Sequence, residues 1–266
     1  MKETFYATNC PLRVALLADL HNKPYKSVIE SLECQKPEMI AISGDVIFQY
    51  TVRRRKSVLE KQHNVLPFLS ACAEIAPTYF SLGNHERILD RDELDVLRHT
   101  GITILDNQWV RQKDVIIGGL TSGYVMEYRT YKKNRKKKSV KPLKNRYPIK
   151  GAPLGTLGKT MKYAPDLSWL SEFIVQEGYK ILLCHHPEYL PILPESIDLI
   201  LAGHAHGGQI RLFGHGLYAP GQGWFPKLTS GIHEGRLVIS RGLSNTAHFP
   251  RFFNPKEVVY TFENPE

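Results

Sequence analysis

Short apolar runs alternate with amphipathic stretches through the first half of the chain. Arg13–Ala18, Met39–Ile42 and Thr78–Leu82 are β-rich and read as strands. Between them, Tyr25–Gln35 carries Val28, Ile29 and Leu32 at helical spacing, and Arg54–Glu74 reads as a longer helix. Asp90–His99 is predicted as another helix with Asp90 as its cap. Short strands are expected at Ile102–Leu105, Trp109–Gln112 and Val115–Gly118. Pro165-Asp166 then opens a helix through Gln176, with the Asp as N-cap. Lys180–Cys184, Ile197–Ala202, Arg236–Ser240 and Glu257–Phe262 read as further strands. Strands alternating with helices, followed by a strand-rich end, predict a layered α/β fold with its sheets at the centre.

The pattern breaks between about Thr121 and Ala164, where Gly, Pro and basic residues replace it. The 266 residues are therefore read as one domain, 1–266, with a basic insertion at about 121–164. The formal charge of +9 is local: Tyr128 to Lys150 holds eleven Lys or Arg and no Asp or Glu, and the rest of the chain is close to neutral. Three readings suit that segment. It is a solvated loop, a flap that touches anionic lipid headgroups or an acidic substrate, or a nucleic-acid patch with Tyr124, Tyr128, Tyr131 and Tyr147 as stacking platforms. Cys10, Cys34, Cys72 and Cys184 form no CxxC pair and read as free thiols of a reducing compartment. Met1–Pro11 is short and polar, and Val14–Ala18 is too brief for a signal-peptide core or a span. With no other span, the expectation is a cytoplasmic protein for which peripheral contact with the inner face of the membrane stays open.

Candidate chemistry falls at the ends of the predicted strands. Asp19 and His21 follow the first, Asp45 the second, and Asn84 and His85 the third. His185 ends a later strand, and His204 and His206 follow the next. Loops at the carboxyl ends of strands are where open α/β sheets bind ligands. Imidazole, carboxylate and amide oxygen suit Mn, Fe or Zn rather than Ca. Two such ions about 3.5–4 Å apart can clamp the attacking and leaving oxygens of an in-line displacement. A bridging carboxylate offsets the repulsion between them. Any one of these pairs alone is an ordinary turn. Their fixed order after successive apolar runs is what separates them from coincidence.

The series Asp19-x-His21, Gly44-Asp45, Gly83-Asn84-His85-Glu86, His185 and Gly203-His204-x-His206 resembles the motifs of calcineurin-like metallophosphoesterases. Leu201–Ile210, Ser240–Leu243 and Pro250–Pro255 resemble a bacterial branch of that family. Some members of the branch are membrane-associated, and some hydrolyse UDP-diacylglucosamine-type or phospholipid-like substrates. The resemblance implies a four-layer α/β/β/α sandwich of two mixed sheets, with a dinuclear metal site at strand ends. It places Asp19, His21 and His206 on one metal, Asn84, His185 and His204 on the other, and Asp45 between them. A metal-held hydroxide would attack phosphorus, and His85 would donate a proton to the leaving oxygen or stabilise negative charge. His185 rather than His186 is the expected ligand, because the pattern of the family this chain resembles places the ligand two residues before a proline, here Pro187. Where many relatives carry an Asp that orients the catalytic His, this chain has Phe48, so Glu86 either takes that task or His85 has no such carboxylate.

The implied activity is a metal-dependent phosphoester hydrolase of the phosphodiesterase or pyrophosphatase type. Its substrate would be a phosphorylated small molecule or lipid, such as a lipid-linked or nucleotide-sugar phosphate. A nuclease or cyclic-nucleotide phosphodiesterase with the same metal core is the alternative. Gly207, Gly208 and Gln209 allow close backbone approach to substrate, and Arg241 and Arg251 offer guanidinium forks for phosphate. His215, His233 and His248 are assigned structural or exposed places.

Overall fold

The structure is a computed structural model. It describes residues 1–48, 57–123, 165–220, 222–244 and 250–263, with two backbone segments at 129–130 and 138–139. The basic segment, apart from those two paired segments, lies outside the described residues, as does His248.

Two six-stranded sheets form the centre. Their strands are β1 (Lys2–Thr8), β2 (Val14–Leu17), β3 (Met39–Ser43), β4 (Thr78–Ser81), β5 (Thr103–Leu105), β6 (Gln108–Gln112), β7 (Val115–Leu120), β8 (Tyr179–Cys184), β9 (Leu199–Ala202), β10 (Gly231–His233), β11 (Leu237–Ile239) and β12 (Glu257–Glu263). The first sheet has the order β1-β12-β2-β3-β4-β5 and the second β10-β11-β9-β8-β7-β6. In each, four neighbouring strands run parallel, β2 to β5 in one and β7, β8, β9 and β11 in the other. Antiparallel pairings join β12 to β2, β6 to β7 and β10 to β11, so both sheets are mixed.

Side-chain alternation sorts the apolar residues into layers. Val14, Leu16, Ile181, Leu183, Leu199 and Leu201 point between the sheets and form one buried cluster. Ala15 and Leu17 point the other way, onto α1 (Lys26–Gln35), α2 (Val65–Ile75) and α3 (Arg91–Arg98) through Leu32, Phe68 and Leu97. Leu182 and Ile200 face α4 (Leu170–Ile174) through Leu170 and Phe173. The result is the α/β/β/α order expected of the chain. The strands with both faces covered are near-continuous apolar runs, as buried parallel strands are.

The structure differs from the sequence reading in three places. The polar N-terminus is a strand, β1, that pairs in parallel with β12 from the other end of the chain. Its exposed and half-buried residues carry no apolar run to announce it. The expected Arg54–Glu74 helix lies outside the described residues up to 56, and from 57 onward it is a single turn at Leu59–Lys61 followed by a helix from Val65. Gln62 breaks it by bonding both the N–H and the carbonyl of Phe48, at 2.9 and 2.6 Å. Asn64 likewise takes the backbone carbonyl of Asn22 at 2.8 Å. The Asp166 carboxylate caps a turn, accepting Ser168 N–H at 3.0 Å, and the helix itself is only Leu170–Ile174. Asp90 does cap α3, in a reciprocal capping box with Glu93.

Candidate metal centre

All seven residues expected as metal ligands are buried, and all follow the carboxyl ends of parallel strands. Asp19, His21, Asp45, His204 and His206 have φ between 46° and 66°, the left-handed region that L-residues avoid. Five such residues at one place are a concentration of backbone strain of the kind that functional sites hold. The neighbouring chain permits it through Gly44, itself at φ 84°. A Cβ there would lie 2.6 Å from His185 Nδ1 and 2.7 Å from the Gly83 Cα.

Among the described residues, potential ligand atoms form four groups: His21, Asp45 and His85 make one, His186, Glu188 and His204 another, and the remaining two meet at Asp45. Of these two, Asp19, His21 and His206 make one, and Asp45, His185 and His204 the other, with the donor atoms of each within 4.8 Å of one another. Each aspartate has one oxygen held by a backbone N–H and the other turned toward imidazoles. Asp19 Oδ2 accepts from His204 N–H at 3.1 Å, leaving Oδ1 3.7 Å from His21 Nε2 and 3.6 Å from His206 Nε2. Asp45 Oδ1 accepts from His85 N–H at 2.9 Å. Its Oδ2 lies 3.1 Å from His185 Nε2, 3.9 Å from His21 Nε2 and 3.8 Å from His85 Nε2.

The rings are oriented from behind. His185 Nδ1 donates to the Ser43 carbonyl at 2.6 Å, which turns its Nε2 lone pair inward. His206 Nδ1 faces the Ser244 carbonyl at 3.3 Å. His186, the neighbour of His185, points elsewhere: its Nε2 is 2.6 Å from Ser122 Oγ and its Nδ1 is 3.8 Å from Glu188 Oε2.

The donor set fits metal ions. Asp19 Oδ1, both His21 ring nitrogens, Asn84 Oδ1 and His185 Nε2 are buried without a hydrogen-bond partner. Buried polar atoms without partners are costly, and here they include a donor from each of the two groups. Cations would satisfy them with ligand types that suit Mn, Fe or Zn.

Electrostatics agree with that reading. Burial alone would raise the Asp45 carboxyl, but His185, His85 and His21 hold it well below the usual carboxylate range. Asp19 is lowered in the same way by His206, His21 and His185 against its burial. Burial opposes the His185 imidazolium, yet Asp45 and Asp19 outweigh it and raise the group to about 10. His85 goes the other way: burial outweighs Asp45 and pushes it down to about 4.

Glu86 acts on the backbone of the site. Its carboxylate is buried and accepts four backbone N–H groups, those of Asp45, Val46, Ile47 and Gly83, at 2.8–3.1 Å. It thereby ties the Asp45 loop to the Gly83-Asn84-His85 loop. Phe48 lies against the rings of His21 and His85, with centroids 6.1 and 6.0 Å away. Burial and Asp45 push the Glu86 carboxyl up to about 7, while the N–H groups of Ile47 and Asp45 pull it down. Four donors aimed at two oxygens suit the ionised form.

The residues expected to touch substrate sit at the rim with structural tasks of their own. Gly207 and Gly208 have φ of 63° and 75°, and a Cβ on them would strike the Asn254 side chain and the Gly216 backbone. Asn254 Nδ2 donates to the carbonyls of His206, at 2.7 Å, and Gln209, at 3.2 Å. Arg251 directs its guanidinium at the carbonyls of Arg241, Gly242, Ser244, Asn254 and Pro255. Burial lowers that group to about 10. Arg241 pairs with buried Glu257, Nε to Oε2 at 3.6 Å. The tasks of Asn254 and Glu188 went unread: Asn254 acts on backbone carbonyls, and Glu188, though only three residues after His185, stands outside the motif series.

The chain is similar to proteins across much of its length. An uncharacterised metallophosphoesterase of Campylobacter jejuni is 28% identical over 93% of this chain and 58% of its own length. One from Helicobacter pylori is 25% identical over 94% of this chain and 59% of its own. This chain thus spans little more than half of those relatives. The phosphodiesterase YaeI of Escherichia coli is 26% identical over 78% of this chain and 66% of its own length. The model of the calcineurin-like phosphoesterases matches residues 12–208, which contain every residue of the two ligand groups, and the chain belongs to that family.

Proposed function

We propose that the protein hydrolyses a phosphodiester or diphosphate bond at this centre. The observation that carries the reading is the position of Asp45 Oδ2, within 3.9 Å of nitrogens from both ligand groups, where one carboxylate oxygen can serve two cations. Asp19, His21 and His206 would hold one ion and Asn84, His185 and His204 the other. When bound, the ions supply Lewis-acid polarisation of the phosphoryl group and a water of lowered pKa. His85 is the ring of the set most open to solvent, with a side chain 12% exposed. Held neutral by burial, it is suited to donate an N–H hydrogen bond to a phosphoryl oxygen rather than to store a proton. The name of the Escherichia coli relative supports a diester. The resemblance of the C-terminal segment supports a lipid-linked or nucleotide-sugar phosphate as the finer reading.

The test is hydrolysis of bis-p-nitrophenyl phosphate and p-nitrophenyl phosphate by chelated protein, with Mn, Fe or Zn added back. Metal-restored cleavage that favours the diester and vanishes in Asp45→Asn is expected. Equal cleavage by Asp45→Asn would overturn the reading.

A further inference from the structure

Four large aromatic side chains stand in water beside the metal centre. Phe213 is 99% exposed, Phe253 80%, Phe225 78% and Trp224 73%. Three of them, Phe213, Phe225 and Phe253, also have φ of 50–56°, a backbone region where bulky L-residues are disfavoured. Asn or Gly would suit such turn positions better in water, on both backbone and solvation grounds. An aromatic ring at each, projected outward, has a use only when something covers it.

These rings grow from one root. Asn254, next to Phe253, holds the carbonyls of His206 and Gln209, the turn that carries a candidate metal ligand. Arg211 N–H donates to the Phe252 carbonyl at 3.0 Å. Phe213 tops the ladder formed by Arg211–Leu212 and His215–Gly216, and Gly216 packs on Gly208. Leu217 N–H returns to the carbonyls of Gly208 and Ile210, and Phe225 N–H to that of Leu217. Trp224 stacks edge-on with Tyr218 at 5.5 Å in the next ladder. Leu212 and Phe252 add exposed apolar surface to the same loops.

Charge narrows the partner. Of the cations between 199 and 256, Arg211 is buried, Arg241 pairs with Glu257 and Arg251 is turned to carbonyls. That leaves exposed Lys227 and Lys256, with half-buried Arg236 balancing the charge of Glu234, a net positive surface. Among the described residues no helix is long and apolar enough to cross a membrane. Aromatic tips among basic residues are the composition of a surface that lies in the headgroup region of a bilayer.

We propose that Phe213, Trp224, Phe225 and Phe253 dock the mouth of the metal centre onto an anionic lipid surface. The docking stands by itself. Its consequence, preferential attack on phosphates presented by that surface, rests on the phosphoesterase reading.

The experiment uses the full chain and vesicles of equal parts phosphatidylcholine and phosphatidylglycerol. Flotation measures binding, and brominated lipid reports tryptophan depth by quenching. Metal-dependent cleavage of a soluble chromogenic diester is measured in parallel, so loss of the phosphoesterase reading and loss of docking are seen separately. A variant with Phe213→Ser, Trp224→Ser and Phe225→Ser should bind vesicles about tenfold or more weaker and keep the soluble activity of the parent, while Phe213→Ser with Phe225→Ser, which retains Trp224 as the reporter, should lose the quenching. Wild-type binding should weaken in high salt and on phosphatidylcholine alone. No binding by the wild type, or equal binding by the triple variant, overturns the proposal. So does a dimer, or a complex with single-stranded nucleic acid, that the three substitutions dissolve while vesicle binding persists.

Discussion

Replacing Glu86 by Gln changes one oxygen into an NH2 and nothing in size, yet four bonds depend on those two oxygens. One oxygen can still accept a pair of N–H groups, either those of Val46 and Ile47 or those of Asp45 and Gly83. The other pair then faces a donor and is left buried and unpaired. A hydrogen bond to a charged acceptor contributes about 1.5–3 kcal/mol, so losing two removes about 3–6 kcal/mol. Removing a buried charge returns part of this, and we take about 3 kcal/mol as the net loss. In a chain of this size that lowers Tm by about 6–12 °C. The damage should also reach the metals, because the Asp45 and Asn84 loops would no longer be tied together. Differential scanning calorimetry of the metal-free protein gives the first quantity, and metal content after dialysis gives the second. Glu86→Gln with the parental Tm and full metal content would refute the argument that this carboxylate holds the two loops.

Phe213→Gly should raise stability, by about 0.5–1 kcal/mol, because glycine avoids the left-handed penalty and an exposed ring is lost; a lower Tm would contradict that. Gly207→Ala should lower stability by about 1–3 kcal/mol, since its Cβ meets Asn254 and its φ is positive, and a denaturant midpoint measures it. Metal affinity should rise with pH between 6 and 8, by about tenfold per unit for each proton released. The proton in question is on His185, raised to about 10, so the metal-free protein holds it at neutral pH and a metal must displace it. In the metal-free protein the His185–Asp45 pair stabilises fully below about 6.5, and that contribution fades as pH rises through about 10. Titration calorimetry in buffers of different ionisation enthalpy counts the protons, and a flat affinity across that range would contradict the assignment. His85→Asn should keep more chromogenic diester activity than His85→Ala, since an amide still donates a hydrogen bond; equal loss would point to proton transfer instead.

What could be read from the sequence is what is local in it. Asp19 and His21 lie two residues apart at one strand end, and His204 and His206 do the same at another, so two walls of the site are visible as short motifs. Apolar runs before them show that each sits where a buried strand stops. The choice of His185 over His186 came from the resemblance, whose pattern sets the ligand two residues before a proline, and the structure sets His185 against Asp45 while His186 turns to Ser122.

The residues that hold this arrangement in place act on backbone, and backbone groups have no sequence signature. Glu86 grips N–H groups 39 to 41 residues away, and Asn254 grips carbonyls 45 and 48 residues away. Arg251 looks like a phosphate binder by residue type, yet five carbonyls take its guanidinium. β1 was hidden for a related reason: its partner is the last strand of the chain, and its own residues are only half-covered. The same physics explains why each aspartate has a backbone donor on one oxygen. A carboxylate fixed at one oxygen by an N–H presents the other in a set direction, which is what a ligand between two cations needs and what no pattern of residue types can announce.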